Sequence, residues 1–261
     1  MSSFSLNRQR LKQLLPALTL ISIVPAWELL CRLFEVPDYL LPSPSRIAEA
    51  FVEVDAGRWF SHLWATLRVA VLGFGLSLLI SFPLAIAMVC SRYMTRTLYP
   101  LLVIIQSTPV VAVAPLIIVM FGTGDAPRLT ITCLLTFFPL VVAMTTGMME
   151  TPSELIELSR SLKAGRHKEI MQIRLPYATP HIFSGMKVAI TLAIIGAVVA
   201  EFVAAEEGLG YFIQFSTSYF KVPQAFSALI FLSAVSLIMF KLIQWSQKRF
   251  FAWSLPKDQR K

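Results

Sequence analysis

Four stretches of the chain run without a single charged side chain: Val69–Cys90, Thr97–Phe121, Leu129–Met149 and Val222–Phe240. Each is long enough to cross a hydrocarbon core as a helix, which takes about 20 residues. Two further apolar stretches carry charge only near their ends. Gln13–Phe34 holds Glu28 and Arg32, spaced i,i+4 so that they can pair on one face, and Ile182–Ala205 holds Lys187 and Glu201. The pattern predicts an all-α integral-membrane fold with six transmembrane helices. The first stretch is read as a retained span, since its apolar run is long and no Ala-x-Ala cleavage site follows it. The organisation expected is an N-terminus and first span over 1–35, an outside loop with an amphipathic helix over 36–65, a core over 66–248 and a basic tail over 249–261. Trp59 and Trp64, in the amphipathic stretch Ile47–Trp64, are expected at the membrane interface.

Composition agrees with a membrane protein: 56% of the residues are hydrophobic and 15% charged, against about 25% charged in soluble domains. Twenty-three Lys and Arg against 15 Asp and Glu leave a net charge of +8, and the placement of that excess decides what it means. With the N-terminus inside, fifteen basic residues fall on inside segments (Arg8, Arg10, Lys12; Arg92, Arg96; Arg160, Lys163, Arg166, Lys168, Arg174; Lys248, Arg249, Lys257, Arg260, Lys261). Arg46, Arg58, Arg128 and Lys221 are the four outside. This is the positive-inside bias of a multi-pass protein with both termini cytoplasmic, not a nucleic-acid footprint. Lys187 and Lys241 lie near cytoplasmic ends and are expected to snorkel. Cys31, Cys90 and Cys133 have no metal or redox spacing and read as buried thiols.

The inside loop 150–181 is the most patterned polar segment. Thr151-Pro152-Ser153-Glu154 has the form of a capping box, Leu155, Leu158 and Leu162 follow at i, i+3, i+7, and Gly165 is placed to close the helix. A second short helix is expected over about 166–174, ending at Leu175-Pro176. From physics alone, a docking knob and a hairpin lying on lipid are both open. In the spans, Pro109, Pro115 and Pro139 free backbone carbonyls, which suits a moving pathway lining or a bent structural helix. The small residues Gly185, Ala189, Ala193 and Ala197 suit close helix packing. Glu201 lines an outer gate or reaches water. Metalloprotease, serine-hydrolase and Walker A motifs are missing from the sequence, so neither catalysis nor an ATP-driven engine is written in this chain.

Glu157-Leu158-Ser159, followed in register by Ile173-Arg174-Leu175-Pro176, resembles the EAA loop of ABC importer permeases. The alanines of that motif are replaced by Leu158 and Ser159, and its glycine falls on Lys163, with Gly165 two residues late. Leu41-Pro42-Ser43-Pro44-Ser45, Thr108-Pro109, Ala114-Pro115-Leu116, Phe121-Gly122, Phe137-Phe138-Pro139, Ala200-Glu201 and Gly208-Leu209-Gly210-Tyr211 resemble the nitrate, sulfonate, taurine and thiamine-precursor branch, over roughly residues 36–255. The resemblance implies a five-helix type I permease core in a bacterial inner membrane and a homodimer. It also implies a cytoplasmic ATPase dimer that binds the ATP, no cofactor in this chain, and an extracytoplasmic solute-binding protein. Glu157, Leu158, Ser159, Leu162, Lys163, Gly165, Ile173, Leu175 and Pro176 would couple to the ATPase. Thr108, Pro109, Pro115, Pro139, Ala193, Ala197 and Glu201 are the pathway candidates. The rival reading is a secondary transporter or channel that works without an ATPase.

Overall fold

The structure is a computed structural model and describes residues 22–255, all helix and connecting loop. Helices α1 (22–33), α2 (Pro44–Glu53), α3 (Ala56–Cys90), α4 (Arg92–Ser107), α5 (Val110–Phe121) and α6 (Asp125–Met149) are followed by α7 (Ser153–Ser161), α8 (Arg166–Glu169), α9 (Leu175–Ala204), α10 (Leu209–Ser218) and α11 (Val222–Phe250). Among the described residues, four helical segments are long and apolar enough to span a membrane: α3, α6, Arg166–Ala204 and α11. A fifth arises if α4 and α5 count as one bent span. Of the first expected span, Gln13–Phe34, the part before residue 22 lies outside the described residues, as does the tail beyond 255.

Thr97–Phe121 is not one straight helix. The chain turns by 93° between α4 and α5, at a residue that precedes proline, where the helical region is disfavoured. Thr108 is accordingly extended at φ −78°, ψ 126°, and Pro109 caps α5 from outside it. The amphipathic stretch Ile47–Trp64 is broken too. Val54 is extended, and Asp55 accepts from the N–H groups of Gly57 (2.8 Å) and Arg58 (3.3 Å) to start α3 afresh.

The described residues form two compact units. The smaller lies within Met1–Trp59 and Phe212–Phe231. Its centre is Trp59, which stacks on Phe51 at 5.0 Å, meets Phe212 at 5.0 Å and Phe231 edge-on at 5.6 Å, and donates to the Phe51 carbonyl at 3.0 Å. Trp59 is thus a core residue, 6% exposed, and not the interface anchor expected; Trp64 is exposed. Ser227 Oγ donates to the Ile47 carbonyl at 2.7 Å, joining α11 to α2. Glu28 and Arg32 pair at 2.6 Å as their spacing predicts, and Glu28 also accepts from Ser45 N–H at 3.0 Å and its hydroxyl at 2.8 Å.

The larger unit lies within Phe60–Tyr211 and Leu232–Lys261 and is built on α6 against α9. In lipid, burial of apolar surface gives little drive for helix association, so backbones must approach closely. A Cβ on Gly185 would sit 2.5 Å from that of Ala143, and one on Gly196 would sit 2.9 Å from Thr132 Cα. Hydroxyls join α3 to α6: Ser77 Oγ donates to the Cys133 carbonyl at 3.1 Å and meets Thr136, and Ser81 donates to the Phe137 carbonyl at 3.2 Å. Each such bond contributes about 0.6 kcal/mol in a membrane interior.

Candidate functional site

The patterned loop begins where α6 ends. Thr151 does not cap α7. Its hydroxyl turns back and donates to the Met148 carbonyl at 3.0 Å, and Arg174 Nη1 donates to the same oxygen at 3.1 Å. Pro152 occupies the N-cap of α7 with no side-chain hydrogen bond, so the expected capping box is not formed. Along α7, Ser159 is 4% exposed and Ile156 half-buried, which turns Glu157 and the leucine row outward: Leu155 is 41%, Leu158 57% and Leu162 74% exposed.

The turn after α7 corrects the sequence reading of its glycine. Lys163 N–H donates to the Arg160 carbonyl at 2.9 Å and Ala164 N–H to that of Ser159 at 3.0 Å, the paired bonds of a Schellman closure. The residue in the left-handed region is Lys163, at φ 53°, while Gly165 is extended at φ −65° and precedes α8. Position 163, where the EAA motif has glycine, therefore keeps the glycine-like backbone with a lysine in it.

No break follows at Leu175-Pro176. Ile170–Arg174 forms a single π turn leading directly into α9, and the helix runs from Arg166 to Ala204. The wider turn accommodates the N–H that Pro176 lacks. It also brings Glu169 under Arg174, whose Nε donates to Glu169 Oε1 at 2.8 Å with both side chains largely buried. Arg160 lies 3.9 Å from the other carboxylate oxygen. Ile173, Leu175 and Pro176 are half-buried on this turn. Arg166 Nη2 donates to the Cys90 carbonyl, so the loop also holds the end of α3, whose last turn α4 meets through Thr95 Oγ1 and the Met88 carbonyl at 2.6 Å. The sequence reading missed the roles of Glu169 and Arg166, and it took Thr151 for a cap.

The pathway candidates separate into two groups. Thr108, Pro109 and Pro115 are exposed at and beyond the α4–α5 break. Pro139 lines an open cavity of about 490 Å³ with Gln106, Thr146, His181, Ser184 and Gly185. Ala193 and Ala197, by contrast, are 0% exposed and Glu201 1%. These three are packed within the protomer and do not line the cavity. Gly210 N–H donates to Glu201 Oε2 at 2.7 Å, Leu209 N–H to Thr66 Oγ1 at 2.8 Å, and Gly208 N–H to His62 Nδ1 at 3.2 Å. Arg128 donates to the Ala204 carbonyl at 3.2 Å, a cation at the C-terminal end of α9. Gly208, at φ 122°, has no room for a Cβ beside the Glu201 carboxyl. Glu201 therefore ties the α9–α10 turn together. Near the cavity, His181 Nε2 lies 3.2 Å from Glu150 Oε2. Lys187, expected to snorkel, donates to Gln247 Oε1 at 2.7 Å.

Residues 69–252 match the family described as binding-protein-dependent transport system inner membrane component. The chain is 32% identical over 238 residues to the formylaminopyrimidine transport permease protein ThiX of Halalkalibacterium halodurans, covering 91% of this chain and 95% of that protein. It is 34% identical over 236 residues to the riboflavin transport system permease protein RibX of Chloroflexus aurantiacus, covering 90% and 88%. A solved inward-facing structure of the MetNI methionine ABC transporter shares the fold with a TM-score of 0.61 at 20% identity, over 74% of this chain and 94% of that one. The chain belongs to the binding-protein-dependent inner-membrane component family, whose members are transport permeases, as a transmembrane permease subunit of an ATP-binding-cassette importer for a small solute, coupled to its ATPase through an EAA-type loop.

Proposed function

We propose that two copies of this permease, each with six spans and both termini cytoplasmic, form the solute pathway between them, and that the solute is a small uncharged nitrogen heterocycle of the pyrimidine type. The observation that carries this reading is the cavity between α4, α6 and α9. Its polar groups, Gln106, Thr146, His181 and Ser184, can donate and accept hydrogen bonds, and its lining includes no Lys or Arg. A sulfonate or nitrate pathway is better served by a fixed cation. A volume of about 490 Å³ lies within the range of small-molecule sites and holds a substituted ring. Two relatives above 30% identity, formylaminopyrimidine and riboflavin transport permeases, support the same chemical class.

In this reading Glu157, Leu158 and Leu162 meet a dimer of cytoplasmic ATPase subunits, while Ser159, Lys163 and Gly165 shape the loop. Ile173, Leu175 and Pro176 hand its movement to α9, and an extracytoplasmic binding protein delivers the solute. Thr108, Pro109, Pro115 and Pro139 lie along the pathway, and the 15-to-4 basic asymmetry supports the orientation. The test is to copurify the permease with its ATPase and binding protein and identify the released ligand by mass spectrometry. A pyrimidine-type heterocycle is expected; a sulfonate or an inorganic anion overturns the substrate class. Uptake into proteoliposomes lacking the ATPase overturns the coupled reading.

A further inference from the structure

A second cavity of about 490 Å³ lies between the end of α3, the start of α4, the end of α6 and α7. Arg92, Arg96 and Arg174 line it together with Thr95 and Ser153, and its lining includes no carboxylate. Arg174 is balanced by Glu169. Arg92 and Arg96 are one helical turn apart on α4, and among the described residues neither guanidinium has an ion-pair partner. Two guanidiniums at one cavity with no internal anion are a phosphate-binding arrangement. The surroundings indicate which phosphate. Met88, Val89, Met149 and Ile156 form the apolar part of the wall. From the arginines, an exposed row of α4 runs through Tyr93 (82% exposed) to Leu101 and Ile104, as a lipid-facing stripe with an aromatic residue at its polar end should.

We propose that this cavity binds the phosphate of an anionic lipid of the cytoplasmic leaflet, through Arg92 and Arg96, with the acyl chains along Tyr93, Leu101 and Ile104. The proposal rests on the orientation given above. Ser153 opens α7 at the cavity wall, so a bound headgroup touches the first turn of the ATPase-facing helix and steadies its seat. Two surface arginines contribute about 1 kcal/mol each toward anionic lipid, so their joint loss weakens retention roughly 30-fold.

The test uses the full permease–ATPase complex in nanodiscs of phosphatidylcholine with and without phosphatidylglycerol. Native mass spectrometry reads the retained phosphatidylglycerol, and ATPase turnover is measured in parallel. Wild type is expected to retain phosphatidylglycerol and to hydrolyse ATP several-fold faster with it, and Arg92→Gln/Arg96→Gln to lose both effects. Lys248→Gln/Arg249→Gln removes the same charge elsewhere and is expected to keep both. Equal losses from the two variants overturn the site in favour of diffuse attraction. Displacement of the lipid by millimolar inorganic phosphate overturns the lipid assignment in favour of a free anion. The orientation is checked separately with Ser161→Cys in a background lacking the native cysteines. Labelling of intact cells by an impermeant maleimide would sink the orientation, whatever the lipid result.

Discussion

The N–H groups of Gly208, Leu209 and Gly210 at the start of α10 are claimed by His62, Thr66 and Glu201, where a helix start otherwise leaves them without partners. Glu201 is the acceptor for Gly210, and its carboxyl fills the space over Gly208. Glu201→Ala should leave a buried donor unpaired and cost about 1–3 kcal/mol, read as a lower thermal unfolding midpoint of the purified permease. Glu201→Gln, which keeps an acceptor oxygen, should lose less. Gly208→Ala should be strongly destabilising in the native background and milder when Glu201 is already Ala, because the added methyl then has space. An additive double-mutant cycle would refute that coupling. At the C-terminal end of α7, Lys163 holds a left-handed backbone that disfavours an L side chain by about 1–2 kcal/mol. Lys163→Gly should keep solute-stimulated ATP hydrolysis, and Lys163→Val, β-branched at a positive φ, should lose it. Equal activity in the two variants would show that the Schellman closure does not matter for coupling.

Among the elements, the break between α4 and α5 has a local contributor, since a helical conformation at Thr108 is disfavoured before Pro109. Spin labels at Tyr99→Cys and Met120→Cys, in a background without native cysteines, should lie about 21 Å apart along two legs bent by 93° and about 32 Å apart on a straight helix at 1.5 Å per residue. Pro109→Ala should shift the distribution toward the longer distance. An unchanged distance would mean that packing, not the proline, holds the bend. Uncharged runs made α3, α6 and α11 legible in the sequence, and the spacing of Glu157 and Ile173-Arg174-Leu175-Pro176 made the loop legible. The break was visible only as two prolines, whose effect depends on what surrounds them. Glu169 and Arg174 were hidden for a geometric reason: they are five apart, and only a π turn, not an α-helix, stacks such a pair. Thr151 fitted a cap by sequence but found a nearer carbonyl at the end of α6. Ala193, Ala197 and Glu201 were marked by their small or polar character, and only packing shows that they are buried within the protomer.

At the scale of the whole molecule, the loop touches three places that must move together for transport to be driven from inside. Arg166 holds the end of α3, Thr151 and Arg174 hold the end of α6, and the π turn is continuous with α9. A displacement of α7 is therefore delivered to the wall of the cavity, since α6 and α9 supply most of its lining. An ATPase can shift that wall only by contacting α7 differently in its two states. Glu157 and the exposed leucine row are the surface available for such contact. Charge reversal at a protein interface costs several kcal/mol, so Glu157→Lys should lower uptake by about 100-fold or more while membrane insertion is kept. Normal uptake would remove the loop from the coupling path. In the proposed pairing, a second copy faces this wall of the cavity. Val188, on the cavity-facing side of α9 and 51% exposed, should approach its counterpart across the pathway. A disulfide needs Cα atoms about 4.4–6.8 Å apart. Val188→Cys in a background without native cysteines should therefore cross-link two permeases under mild oxidation, with a yield that changes between nucleotide-free and ATP-trapped complex. A yield indifferent to nucleotide would place this wall outside the moving pathway, and no cross-link in either state would place it away from the dimer axis.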